Sequence, residues 1–339
     1  MTRRNGGDKV VIVGATGLVG SAIVETLERL NFPASEFVPV ASARSAGSKI
    51  SFKGSEYVVQ EFNPSVFKNA MWVFFSGKDG LSDEFCPAAA KAGAWVIDNS
   101  SAFRMDENVP LIVPEVNPHA IGEEAGIIAN PNCSTIQLAV ALEPIRRAAG
   151  IKKVIVSTYQ SSSGAGGEYL NQLIDDSVRM LDNESDFPGA NTLAFNVIPA
   201  VGANSEDGRF SEETKLENEL RKILEMPDLP ISATAVRVPT KYCHAESVVI
   251  ETEREILPHD ARVLWGEMNG VEVLDDFENR KFPTPLLCER TDPVWVGRIR
   301  KAGVFENDLA FWVVADNILK GAALNAVQIA QIIKERQYV

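Results

Sequence analysis

The stretch GIIANPNCSTIQLAV (126–140) places a thiol where an apolar run gives way to helical spacing. Asn132 is a good N-cap, Pro131 closes the preceding strand, and Ile136, Leu138, Ala139, Val140 and Leu142 supply an apolar helix face. Cys133 then falls in the first turn, where unpaired N–H groups and the helix dipole stabilise a thiolate. One reading makes it a nucleophile; the other makes it a small packed side chain, since free cysteine is among the most buried residue types. A thiol nucleophile needs a base. Of the three histidines, His119 follows Asn-Pro and His259 follows Leu-Pro, which suits loop or helix-start positions. His244 lies between two strands in VRVPTKYCHAESVVIE, seven residues after Arg237, where a strand-end loop can carry an imidazole to a cleft or simply pack it.

Other polar positions join these. Gln160 ends a strand in TYQSSSGAGGEYL, ahead of a Ser/Gly turn and a helix, a place to position a carbonyl and admit a cofactor ring, or a flexible loop. Arg104 follows a strand in DNSSAFRMD, and Glu212 and Lys215 share a face at i, i+3 in FSEETKLENELRKIL. The Cys243-His244 pair has no further Cys or His at ligand spacing, so no metal site is expected.

These residues need a cofactor half. GATGLVG (14–20) sets Gly14, Gly17 and Gly20 between a first strand, KVVIV, and a helix, where glycines let the backbone turn tightly and approach a pyrophosphate. After the second strand comes ASARSAG. Arg44 with Ser42 and Ser45 suits a ribose 2′-phosphate, where an acid would favour the 2′-hydroxyl, so NADP is expected over NAD.

The elements that would position all this follow from texture. Up to about residue 130, short β-branched or aromatic runs (EFVPVAS, MWVFFS, AWVIDN, GIIAN) alternate with helical stretches, which implies a parallel sheet with right-handed crossovers. Beyond 150, longer runs (KKVIVSTYQ, TLAFNVIPA, SATAVRVP, ESVVIETE, WVGRIRKAG, LAFWVVAD) imply a mixed sheet with one exposed face. KGAALNAVQIAQIIKERQ reads as an amphipathic helix that packs back on the first domain.

The chain has 339 residues, 45% hydrophobic and 23% charged, enough for two domains. Its 33 Lys and Arg against 46 Asp and Glu leave a formal charge of -13, a field that repels nucleic acid and anionic membranes and leaves anion binding to locally placed arginines and lysines. The four cysteines have no CxxC spacing and read as reduced thiols in a cytoplasmic setting. The basic front MTRRNGG is followed by too short an apolar run for an export signal, and no run is long enough to span a bilayer.

Taken together, the ordered segments SSAFRMD, VPEVN, NPNCSTIQ, SGAGGE, AFNVIP, EETK, the Arg237 to His244 stretch ending HAESV, and DNILKGAALNAVQIA resemble the aspartate-semialdehyde dehydrogenases. That resemblance implies an α/β protein: a Rossmann-type NADP-binding domain (1–132) completed by the C-terminal helix (318–339), and an α+β catalytic and dimerisation domain (133–317). The second domain's mixed sheet would be like that of glyceraldehyde-phosphate dehydrogenase. It implies Cys133 as nucleophile, His244 as acid/base and Gln160 orienting the acyl group. Arg237 would bind the substrate α-carboxylate, Glu212 its amine, and Arg104, Asn132 and Lys215 the phosphate. The implied cofactor set is Gly14, Thr16, Gly17, Leu18, Val19, Ser42, Arg44, Ser45, Ser163, Gly164 and Asn317. The expected reaction is NADPH-dependent reduction of L-aspartyl-4-phosphate through a thioester, with inorganic phosphate released, by a homodimer. Alternatives are an N-acetyl-γ-glutamyl-phosphate reductase, whose substrate has no free amine for Glu212, and a non-catalytic NADP-binding relative. Glyceraldehyde-phosphate dehydrogenases share the thiol logic but offer Arg237 no α-carboxylate.

Overall fold

The computed structural model describes residues 8–77, 79–182 and 189–338, so the basic front at Arg3 and Arg4 lies outside the described residues. Two compact units divide the chain: one runs up to Pro131 and resumes at Ala322, and the other is Asn132–Gly321.

In the first unit, strands β1 (Lys9–Val13), β2 (Glu36–Ala41), β5 (Gln60–Glu61), β6 (Trp72–Phe75), β7 (Trp95–Asp98) and β8 (Ile127–Ala129) form an all-parallel sheet in the order β5-β2-β1-β6-β7-β8. A small hairpin, β3 (Lys49–Phe52) and β4 (Ser55–Val58), sits between β2 and β5. β6 and β7 are buried throughout, as expected of strands covered on both faces. Helix α1 (Leu18–Arg29) follows β1, and α2 (Asp79–Lys91) follows β6. The strand order reverses between β1 and β6, and in an open α/β sheet ligands bind at the carboxyl ends of the strands at such a reversal.

The C-terminal helix Leu324–Tyr338 belongs to this first unit and packs on α1 and β7. A π-helical turn, Leu319–Ala323, precedes it. The sequence suggests an amphipathic helix, yet Leu324, Asn325, Ala326, Val327, Ile329 and Ala330 are all buried, so most of its circumference is covered.

The second unit is built on a mixed sheet in the order β10-β9-β11-β14-β13-β12, with β9 (Lys153–Gln160), β10 (Ile231–Arg237), β11 (His244–Glu251), β12 (Val271–Val273), β13 (Val294–Arg300) and β14 (Asp308–Ala315). β9 alternates: Val154, Val156, Thr158 and Gln160 are buried, while Lys153 and Ile155 are exposed and Ser157 and Tyr159 half-buried. One face of the sheet therefore carries the core and the other is partly open. The core face meets helix α3 (Cys133–Ala149), buried on every side from Ser134 to Ile145. Helix α5 (Ser211–Leu224) lies beside it, after α4 (Gly167–Asp182), and α6 (Pro258–Gly266) presses Trp265 onto α3, its indole N–H donating to the Ala141 carbonyl at 2.7 Å.

One expected strand is absent. TLAFNVIPA is irregular, with a single bridge between Ile198 and Arg237. Phe195 takes a left-handed φ of 55°, and the Asn196 amide donates to the carbonyls of Thr192 and Ala190, so side-chain hydrogen bonding curls the segment before Pro199. The segment nonetheless covers β10: backbone N–H groups of Ile198 and Arg237 each donate to the other's carbonyl.

Candidate active site

Cys133 is the first residue of α3, and its half-buried thiol sits at a doubly anchored elbow. The Asn132 side-chain oxygen accepts from the Ser134 N–H at 2.9 Å, which is the N-cap expected from the sequence. Its amide donates to Glu212 Oε1 at 2.8 Å, and its own backbone N–H donates to Glu219 Oε2 at 2.6 Å. Both ends of the Asn132 amide are thus engaged in holding the turn. Gly321 lies against the thiol-bearing carbon: a Cβ there would come within 2.9 Å of Cys133 Cβ.

His244 opens β11, and its Nε2 is 3.1 Å from Cys133 Sγ. The Ser161 backbone N–H donates to Nδ1 at 3.0 Å. A backbone N–H cannot accept, so Nδ1 holds a lone pair and the neutral ring carries its hydrogen on Nε2, facing the sulfur. Protonating Nδ1 would set two N–H groups against each other. Complete burial, with the Arg237 guanidinium nearby, pushes the imidazole pKa down to about 3. His244 is therefore built as a neutral donor toward Cys133.

The loop that holds the ring is itself tied down. Asn317 Oδ1 accepts from the Cys243 N–H at 2.9 Å and from the Ser161 and Ser163 hydroxyls at 3.2 Å each, and its amide donates to Ser163 Oγ at 3.0 Å. Cys243, just before the histidine, stands at a left-handed φ of 65°. Arg237 donates from Nη1 to the Ser161 carbonyl at 2.7 Å. Gly164 is exposed but presses on this cluster, and a Cβ there would lie 2.9 Å from His244 Nε2 and 3.0 Å from Arg237 Nη1.

Gln160, at the end of β9, donates from its amide to Ser134 Oγ at 3.0 Å and to Glu212 Oε1 at 3.2 Å. Glu212 thus receives both Gln160 and Asn132, and it ties the end of β9 and the start of α3 to helix α5. Lys215 lies one turn further along the same helix, half-buried. The second unit thereby carries Cys133, His244, Gln160, Arg237, Glu212, Asn132, Lys215, Ser163, Gly164 and Asn317.

The remaining expected residues belong to the first unit. Gly14 turns the chain after β1 at φ +83°, and a Cβ there would strike the Ser76 carbonyl and hydroxyl at 2.8 Å, at the end of β6. Gly20 is tighter, since its Cβ would fall 2.0 Å from the Gly14 carbonyl oxygen. Gly17 caps α1 without a side-chain hydrogen bond, so the first-turn N–H groups of Leu18 and Val19, beside exposed Thr16, present a cradle of backbone donors. Ser42 and Arg44 are exposed, and Ser45 half-buried, in the loop after β2. Arg104 is buried, donating from Nε to the Asn130 carbonyl at 3.0 Å and from Nη2 to the Asn99 carbonyl at 2.9 Å.

Ser134, Ser161, Glu219 and Gly321 escape a reading of the sequence. Glu219 stands seven residues after Glu212, on the same face of α5, and that spacing was a usable signal. Ser161 and Gly321 act through a backbone N–H and a missing side chain, which residue type does not announce. Among the described residues no group of His, Cys, Asp and Glu could hold a metal ion, and no helix is long and apolar enough to cross a membrane.

Comparison with known proteins places this geometry. Residues 9–124 match the family described as the semialdehyde dehydrogenase NAD binding domain, and residues 142–320 match the semialdehyde dehydrogenase dimerisation domain. The aspartate-semialdehyde dehydrogenase of Aquifex aeolicus is 48% identical over 96% of this chain and 98% of its own. The crystal structure of aspartate semialdehyde dehydrogenase II from Vibrio cholerae complexed with ASA superposes with a TM-score of 0.92 at 39% identity, covering 98% of this chain and 99% of that one. The Candida albicans aspartate semialdehyde dehydrogenase with NADP superposes with a TM-score of 0.77 at 25% identity, covering 98% of this chain and 100% of that one. An α/β chain with a dinucleotide-binding parallel sheet and a thiol–imidazole pair on a mixed sheet, it belongs to the aspartate-semialdehyde dehydrogenase family.

Proposed function

We propose that this enzyme converts L-aspartyl-4-phosphate to L-aspartate-4-semialdehyde and inorganic phosphate, with NADPH as reductant. The observation that carries the reading is Cys133 Sγ at the start of α3, 3.1 Å from a histidine whose other nitrogen is held by a backbone N–H.

The Cys133 thiolate, favoured by the helix N-terminus, attacks the acyl carbon; the carbon–sulfur bond forms, the carbon–oxygen bond to phosphate breaks, and phosphate leaves. Arg104 and Lys215 supply the cations for that phosphate, Arg237 binds the α-carboxylate bidentately, and Glu212 takes the amine. Gln160 holds the acyl oxygen. NADPH, when bound, supplies the hydride that the thioester carbon accepts. As the carbon–sulfur bond breaks and the aldehyde forms, the electron pair leaves with Cys133 Sγ as thiolate, which His244 Nε2–H stabilises by a hydrogen bond. The residues present fit the cofactor: Gly14, at φ +83° and hard against Ser76, makes a tight turn that no side chain could enter, the uncapped start of α1 suits a pyrophosphate, and Arg44 suits a 2′-phosphate. On this reading the first unit is the cofactor domain and the second the catalytic one. It forms a homodimer, as the dimerisation-domain match supports, and works in the cytoplasm.

The test runs the reaction in reverse, following nicotinamide absorbance with L-aspartate-4-semialdehyde, phosphate and either NADP or NAD. Strong, phosphate-dependent NADPH formation is expected, with Cys133→Ala slower by at least about 10³-fold and still able to bind NADP. Signal only with N-acetyl-glutamate-semialdehyde would transfer the chain to the rival reductase, and full activity of Cys133→Ala would refute the thioester.

A further inference from the structure

Directly behind the dyad, the same two elements meet a second time. Gln137 stands four residues after Cys133 on α3, and Glu246 two residues after His244 on β11, so each repeats its partner's direction one layer deeper. Glu246 is fully buried and lies beside the Gln137 amide. Gln137 is likewise buried, and both oxygens of Glu246 and both polar atoms of the Gln137 amide lack a well-formed hydrogen bond. No step of the mechanism uses either residue. A carboxyl and an amide kept fully buried in a layer with no other ionisable group, immediately under a reacting thiol, call for a physical reason.

We propose that Glu246 and Gln137 are the positioning pair of the Cys133–His244 dyad, tying β11 to α3 one layer behind the reacting atoms. The inference rests on the thiol chemistry proposed above. The surroundings decide which form of the acid does the work. On the neighbouring strands Glu246 faces Thr158 of β9 and Val313 of β14, and on the helix Gln137, none of them charged. The ionisable groups in the layer above are Cys133, His244 and Arg237. With no cation of its own to pair with, the carboxyl has its pKa pushed well up by burial. In the protonated form it can donate to the Gln137 carbonyl oxygen while accepting from the Gln137 N–H, a reciprocal pair that fixes the spacing of helix and strand. A neutral acid also leaves His244 without a buried anion that would favour the imidazolium, which the Ser161 N–H disfavours.

The test compares Glu246→Ala, Glu246→Gln and Gln137→Ala with the parent enzyme. Three things are read: kcat and KM for aspartate-semialdehyde, the rate of Cys133 alkylation by iodoacetamide across pH 5 to 9, followed by mass of the Cys133 peptide, and a thermal melt. Glu246→Ala should lose at least 10-fold in kcat with KM within about 2-fold, and should displace the pH profile of alkylation. Glu246→Gln, also neutral and able to pair with an amide, should restore most of both. Parent-like kcat and alkylation in Glu246→Ala would overturn the proposal, and so would a Glu246→Gln as impaired as Glu246→Ala. Should Glu246→Ala fail to fold, Gln137→Ala decides by the same two criteria. The alkylation readout needs no substrate, so a parent enzyme inert toward aspartate-semialdehyde would sink the functional reading while leaving the positioning claim to be judged on thiol reactivity.

Discussion

The two units solve their tasks with opposite materials. The cradle after β1 is made of backbone: Gly14 and Gly20 work by having no side chain, and the donors are helix N–H groups. The dyad is made of side chains held by other side chains and by single N–H groups, with Asn132, Gln160, Glu212, Glu219, Ser161 and Asn317 around it. A backbone cradle tolerates any ligand with the right charge, whereas a crowded side-chain cluster fixes reacting atoms to fractions of an ångström. Substitutions should therefore shift affinity in the first unit and turnover in the second.

The sharpest way to break that contrast is Gly164→Ala. The new methyl would meet His244 Nε2 and Arg237 Nη1, and kcat should fall about 100-fold while the melt moves little. A parent-like kcat would show that the dyad is less constrained than its packing implies. In the first unit, Arg44→Ala should lower kcat/KM with NADP by roughly 10-fold or more and leave NAD almost untouched, because a single charged contact to the 2′-phosphate is lost. Equal losses with both cofactors would remove Arg44 from that role.

The smallest effect is in stability against pH. His244 has its pKa lowered in the folded protein, from 6.5 to about 3, so the unfolded chain binds the extra proton and stability drops as pH falls from about 6.5 toward 3. Glu246 has its pKa raised, so its contribution is complete below about 4.5 and is lost as pH rises through the folded value. The two slopes oppose each other above about pH 4.5, wherever the His244 and Glu246 windows overlap. Urea denaturation of Glu246→Gln should accordingly gain on the parent protein by about 1.4 kcal/mol per pH unit above 4.5, up to the folded pKa. A difference that does not change with pH would mean that Glu246 is ionised in the folded state.

Much of this was legible in the sequence where one element carries its own signal. KVVIV followed by GATGLVG specifies a strand, a tight turn and a helix start, and NPNCSTIQ specifies a capped helix with a thiol in its first turn. Contacts between distant segments were not legible. The Ser161 N–H against His244, Glu219 against the Asn132 N–H, and Gly321 under Cys133 join positions 83, 87 and 188 residues apart in the chain; the first two depend on backbone N–H groups that nearly every residue has, and the third on an absent side chain. TLAFNVIPA misleads because its apolar composition suits a strand, while the Asn196 amide and the left-handed Phe195 decide otherwise.

The border of the mixed sheet has a consequence for assembly. β10 is an edge strand, and three of the N–H groups it would offer to another chain are taken: Ala233 donates to Glu217 at 3.2 Å, Ala235 to Glu213 at 3.0 Å, and Arg237 to Ile198 at 2.8 Å. The opposite edge, β12, is only three residues long. Neither border offers a long open template, so strand-by-strand growth into ribbons is suppressed.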